Sequence, residues 1–167
     1  MAISEQTAAD ITLGYLRRTE RILPHDIGVA ATRFQRALAQ VVGAALKPFD
    51  LTPAEYGIFD HVHSNPGVSN AELARYLLIT PQALGRMSTR LQKRGYIRRA
   101  PAKGGRREPI EVTEEGLELL QRIEPLVDTA LGTLLENLEA ADISVLFRTL
   151  TTAVDSVSSH KSETQFV

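Results

Sequence analysis

Three helix starts follow one another between Thr52 and Pro81, and they constrain the fold more tightly than anything else in the chain. Thr52-Pro53-Ala54-Glu55 is a capping box with proline at the first helical position, where the missing N–H costs nothing. It opens a helix carrying Tyr56, Ile58, Phe59 and Val62, which Asn65-Pro66-Gly67 stops. Ser69-Asn70-Ala71-Glu72 is a second capping box, before a short helix with Leu73, Ala74 and Leu77 inward. Thr80-Pro81 caps a third, with Leu84, Met87, Ser88 and Leu91 on one face and Gly95 past its end. Two short helices joined by a tight turn, the second exposed on its far face, describe a helix-turn-helix.

The flanks extend this unit. After Gly95 the pattern shortens to Tyr96–Ala100, a basic loop over 101–107, and Pro109-Ile110-Glu111-Val112, which predicts a β-hairpin. Thr113-Glu114-Glu115 then caps a helix with Leu117, Leu120, Ile123, Val127, Leu131 and Leu134 in its stripe, and Pro125 is expected to bend it. A last helix carries Ile143, Leu146, Leu150, Val154 and Val157, with a polar tail expected from Ser158. Upstream, a helix from near Ala9 is interrupted at Pro24, and a long one from Asp26 to before Pro48 carries Ile27, Ala30, Phe34, Leu38, Val41 and Ala45. The expected fold is mainly α with a small β-wing: a winged helix-turn-helix over 51–116, between N-terminal helices (1–50) and C-terminal helices (117–167). The terminal helices hold more apolar stripe than one small winged domain can cover, which suits dimerisation.

Charge gives this architecture a direction. The net charge is only −1, yet no acidic residue lies between Glu72 and Glu108. That stretch holds Arg75, Arg86, Arg90, Lys93, Arg94, Arg98, Arg99, Lys103, Arg106 and Arg107, so the rest of the chain is strongly acidic. A positive segment on a negative body suits a polyanion on one face. On the third helix Gln82, Gly85, Arg86, Thr89, Arg90 and Lys93 face outward. Gln and Arg can make bidentate contacts to adenine and guanine edges in the major groove. Arg90 and Lys93 lie better for phosphates, and the helix N-terminus at Thr80 offers backbone N–H groups to one. Lys103, Arg106 and Arg107 at the hairpin tip suit a narrow minor groove. Double-stranded DNA is therefore the expected partner. The alternative is a winged-helix dimer that serves as a protein-interaction scaffold without DNA binding.

Other classes find little support. With no cysteine there are no disulfides, thiolate metal sites or thiol nucleophile. His61 and His63, two apart on a helix, point to different sides, and no histidine has ligand spacing, so no metal is expected. Gly104-Gly105 falls on a hairpin tip rather than between a strand and a helix, which argues against a phosphate-cradling loop. No nucleophile–base set is visible; neither an enzyme nor a cofactor is expected. The start lacks a secretion-signal pattern and no apolar run is long enough to span a membrane, so the expected location is the cytoplasm.

Leu51-Thr52-Pro53, Pro66-Gly67-Val68-Ser69 as a short strand, Glu72-Leu73-Ala74, Thr80-Pro81-Gln82-Ala83, Leu91-Gln92-Lys93-Arg94-Gly95-Tyr96-Ile97 and Thr113-Glu114-Glu115-Gly116 together resemble a MarR-family regulator. The resemblance covers about 26–158. It implies a homodimer whose first and last helices interlock at the two-fold axis. It also implies a repressor released when a small molecule binds between the dimer and DNA-binding regions. Phe34, Phe49, Tyr56 and Phe59 are candidates to line such an apolar pocket, against a simpler role as core. Two positions depart from the family pattern. Gly104 stands where the wing commonly has an Asp, two residues before its Arg. Leu78 stands where the turn often has Gly, so that turn is expected to avoid a positive φ.

Overall fold

The computed structural model describes residues 22–100 and 109–163, with side chains as far as Ser156. The chain divides into two compact units, 1–37 and 38–167. Helix α1 (Pro24–Leu46) is followed by a 3-10 turn (Lys47–Phe49), then α2 (Pro53–Ser64), α3 (Asn70–Tyr76) and α4 (Pro81–Lys93). Strands β1 (Ile97–Arg99) and β2 (Ile110–Val112) lead into α5 (Glu114–Leu135) and α6 (Ala140–Glu163). The helix from Ala9 lies outside the described residues.

The caps form as their spacing predicts. Thr52 Oγ1 accepts the Glu55 N–H at 3.2 Å, while Glu55 Oε2 accepts the Thr52 N–H at 2.9 Å. Ser69 and Glu72 repeat the exchange at the same two distances. The Ser69 bonds hold the exposed Glu72 carboxyl below its usual pKa, the hydrogen bonds favouring the charged form. Thr80 and Thr113 cap α4 and α5 through their hydroxyls. In the second unit, residues from the end of α1 (Leu46), α2 (Ile58, Phe59), α3 (Leu73), α4 (Leu84, Leu91), the wing (Ile97, Ile110) and α5 (Leu120, Ile123) close one core. Burial of such side chains is the main favourable term in the fold, about 1.5–3 kcal/mol each against an extended chain.

Several expectations are corrected. The segment Pro66–Ser69 is not a strand. Val68 donates its N–H back to Asn65 O, Gly67 has φ +87°, and the described residues contain one two-stranded antiparallel sheet, β1 with β2. Proline has no N–H for a ladder, and Ser69 is committed to capping α3. Near the end of α1 the buried positions are Val42 and Leu46, one step on from Val41 and Ala45. Both pairs have four-residue spacing, so periodicity alone does not choose between them. On α5, Leu119 is buried whereas Leu117 is exposed. Helix α6 continues past Ser158 to Glu163, since polarity without Gly or Pro does not stop a helix.

Candidate nucleic-acid interface

Helices α3 and α4 form the expected corner, and the turn between them is the least predictable part. The C-terminus of α3 reverses through Leu78, at φ +53°. Ile79 donates its N–H to Ala74 O at 3.0 Å and Leu78 to Arg75 O at 3.2 Å, the paired bonds of a Schellman ending. The expectation that Leu78 avoids a positive φ is therefore wrong. Left-handed backbone costs a non-glycine residue about 1–2 kcal/mol. Two carbonyls are satisfied in return, and Ile79 packs against the core while the Leu78 side chain stays 50% exposed. Helix α4 ends the same way with the residue suited to it: Gly95 has φ +79°, and Tyr96 donates its N–H to Leu91 O at 3.1 Å.

Along α4, Leu84, Ser88 and Leu91 are buried and Met87 is half-buried. The opposite face presents Gln82, Gly85, Arg86, Thr89 and Lys93, all exposed, as is Thr80 at the N-cap. Among the described residues neither Arg86 nor Lys93 has an ion-pair partner. Thr89 returns its hydroxyl to Gly85 O. At the N-terminus Pro81 has no N–H and Ala83 gives its own to Thr80, leaving Gln82 as the first-turn N–H that the cap does not use.

Arg90 and Arg94 behave differently. The Arg90 Nη2 lies 3.0 Å from the Asp50 carboxylate and donates to Asp50 O at 3.0 Å, while Nη1 lies 3.3 Å from Glu55 Oε1. Arg94 donates to Phe49 O at 2.7 Å and to Asp50 O, and its guanidinium sits 5.0 Å from the centre of the Tyr96 ring. Glu55 is 2% exposed. Asp50 itself has φ +51°, a region that Asp tolerates better than most residues. Sequence reasoning missed Asp50, Glu55 and Arg94 because the partners are some forty positions apart along the chain. Nothing in the local pattern singles out Asp50 and Glu55, since Asp60 and Glu72 lie closer to the acid-free stretch.

The hairpin pairs Arg98 with Glu111 across the strands at 3.0 Å. Lys103, Arg106 and Arg107, expected at its tip, lie outside the described residues, as does Gly104. The hairpin base is held by Thr113, which takes the Gly116 N–H and donates its hydroxyl to Gly95 O. Gly116 has no room for a side chain: a Cβ there would stand 2.2 Å from Tyr96 O and 2.8 Å from Val112.

The ligand candidates separate. Phe59 is wholly buried, stacked 6.0 Å from Tyr96, and belongs to the core. Phe34, in the first unit, is half-buried. Phe49 and Tyr56 are half-buried in the second, and Arg122 lies 5.5 Å from the Phe49 ring. The Tyr56 phenol is pushed up to about 12 by burial, reinforced by Asp60, Glu124 and Asp128. An open groove of about 420 Å³ is bordered by Gly43, Lys47, Asp50, Thr52 and Arg90 among others, and none of the four candidate aromatics lines it.

These features can be set beside known proteins. A MarR family sequence profile matches residues 49–108. The HTH-type transcriptional repressor Rv2887 of Mycobacterium tuberculosis (strain H37Rv) is 35% identical over 115 residues, which cover 68% of this chain and 83% of the relative. The chain belongs to the MarR family. It is a winged helix-turn-helix transcriptional regulator of that family. Two solved structures of the M. tuberculosis MarR family protein agree with this. Its complex with DNA matches with TM-score 0.60 at 30% identity, covering 75% of this chain and 95% of the other. Its complex with p-aminosalicylic acid matches with TM-score 0.62 at 33% identity, covering 75% and 96%.

Proposed function

We propose that the chain is a homodimeric repressor that reads a pseudo-palindromic operator with α4 and leaves it when a small molecule binds. The observation that carries this is the exposed row Gln82, Gly85, Arg86, Thr89 and Lys93, whose two cations have no ion-pair partner among the described residues. Gln82 and Arg86, in the first half of α4, read base edges; Lys93 and the N-terminus at Thr80 take phosphates. Lys103, Arg106 and Arg107 extend the contact into the minor groove. The terminal helices (1–50 and 117–167) form the dimer, with the winged domain over 51–116. Support comes from α6, whose Val145, Phe147 and Leu150 are exposed, Phe147 at 73%.

Double-stranded DNA and a small-molecule effector follow from the relative solved with DNA and with p-aminosalicylic acid. Phe49 and Tyr56 remain the effector candidates in the second unit, Phe59 being core; Phe34 is a candidate in the first. A regulator that is not an enzyme and works in the cytoplasm fits the family. Among the described residues no helix is long and apolar enough to cross a membrane.

The test is an anisotropy titration with DNA from the chain's own promoter, repeated over a salt series. Two α4 helices of one dimer reach the same face of the duplex when half-sites are about ten base pairs apart. The logarithm of the binding constant should fall with log salt by about 0.9 for each phosphate neutralised. Binding that is absent, or indifferent to salt, would refute the proposal.

A further inference from the structure

The Arg90 side chain stays partly exposed, at 44%, yet its guanidinium is engaged within a cluster of four charges. Two carboxylates, Asp50 and Glu55, meet two guanidiniums, Arg90 and Arg94, so the cluster presents no surplus positive charge to a phosphate. Glu55 explains why Arg90 stays there. Its Oε2 accepts the N–H and hydroxyl of Thr52, each at 2.9 Å, and Oε1 is left for Arg90. A buried carboxylate oxygen without a partner is costly, so turning Arg90 outward to DNA would leave Glu55 exposed to that cost. The cluster also joins three pieces of chain: the turn after α1 through Phe49 and Asp50, the first turn of α2 through Glu55, and the last turns of α4.

We propose that Arg90, backed by Arg94, is a positioning residue that sets the angle of α4 through Asp50 and Glu55 and makes no contact with DNA phosphate. This rests on the reading of α4 as the DNA-reading helix. The arrangement is suited to the task because both guanidiniums bind rigid acceptors, two of them backbone carbonyls, through a planar fork that holds orientation as well as distance. Gln82 and Arg86, one to two turns away on the same helix, then reach base edges only when the α4 axis is held at the right tilt. A small displacement at the anchored end is magnified at the reading end.

The test uses the full chain and four variants: Arg90→Lys, Arg90→Ala, Asp50→Asn, and Arg90→Ala combined with Asp50→Asn. Each is titrated over a salt series against a duplex carrying the promoter site and against a random duplex, after urea unfolding has confirmed that it is folded. Positioning predicts that Arg90→Lys and Asp50→Asn each lower the preference for the promoter site by about tenfold. The salt slope on random DNA stays at the wild-type value, and the double variant is no worse than the poorer single one. Lysine keeps the charge but cannot span both acceptors, so it fails to rescue a positioning role and would rescue a phosphate contact. Three results overturn the proposal: wild-type behaviour of Arg90→Lys, a salt slope about one unit smaller for Arg90→Ala on both duplexes, or tighter binding of both duplexes by Asp50→Asn. If Arg90→Ala does not fold, Arg90→Lys with Asp50→Asn carries the same comparison. Wild-type protein that binds neither duplex would remove the DNA-binding reading itself, an outcome distinct from failure of the positioning role alone.

Discussion

The two ends of α4 carry similar residues and use them differently. Toward the N-terminus Arg86 stands exposed beside Gln82 with no ion pair among the described residues. Toward the C-terminus Arg90 and Arg94 are bound to Asp50, Glu55 and the carbonyls of the preceding turn. In a charge tally all three arginines count alike. What separates them is whether the protein supplies the anion or leaves it to a partner. Lys93 sharpens the contrast, since it lies between Arg90 and Arg94 in sequence and is exposed and unpaired among the described residues. On a helix, neighbouring positions differ by 100° in direction, so adjacent cations can serve unrelated ends.

The largest effect expected comes from disturbing the anchored end. Gly116→Ala would drive a methyl group into Tyr96 O, just beyond the end of α4, and backbone has no rotamer with which to give way. Overpacking of this kind costs about 1–3 kcal/mol or more, and the loss should appear as a lower urea midpoint with an unchanged m value. An unchanged midpoint would mean that the α4–α5 junction is looser than the structure shows.

At the reading end, Arg86→Ala should leave the urea midpoint alone and cost about 1–3 kcal/mol in operator affinity, with sequence preference relaxed. Lys93→Ala should instead weaken promoter and random DNA alike and reduce the salt slope by about one. Equal losses for both variants on both duplexes would erase the division drawn between base and phosphate contacts.

Smaller effects come from the residues that support the corner. Leu78→Gly relieves the left-handed strain at +53° but adds freedom to the unfolded chain, for a net gain of about 0.5 kcal/mol. A stability loss would show that the half-exposed Leu78 side chain contributes more packing than its position suggests.

Tyr56 gives a pH test. Its pKa rises from 10.0 to about 12 in the fold, chiefly because burial disfavours the phenolate. The neutral form is thus preferred in the folded state. This contribution is complete below pH 10 and is lost as pH rises toward 12. Tyr56→Phe should therefore flatten the alkaline fall in stability over that window, read as the difference between the two proteins.

Much of the second unit was legible because it is written locally. Each cap is a pair of residues three positions apart, and Thr52/Glu55, Ser69/Glu72, Thr80 and Thr113 all begin helices where their spacing places them. The outward row of α4 was legible for the same reason, as the complement of Leu84, Ser88 and Leu91. Local rules failed where two of them conflicted. At Leu78 the preference of a leucine for negative φ lost to the hydrogen bonds and the packing of Ile79 that close the turn. At Pro66–Ser69 the extended pattern lost to a turn and a cap.

By itself, then, the amino-acid sequence determined the order of helices, the hairpin, the inward face of α4 and the concentration of positive charge around it. Those follow from hydrogen bonds and periodicities within a few residues. Tertiary structure alone decided which of those charges remain available. Asp50 and Glu55 reach Arg90 only because the turn after α1, the first turn of α2 and the end of α4 converge, where the exposed Asp50 and the buried Glu55 hold one cation from distant parts of the chain.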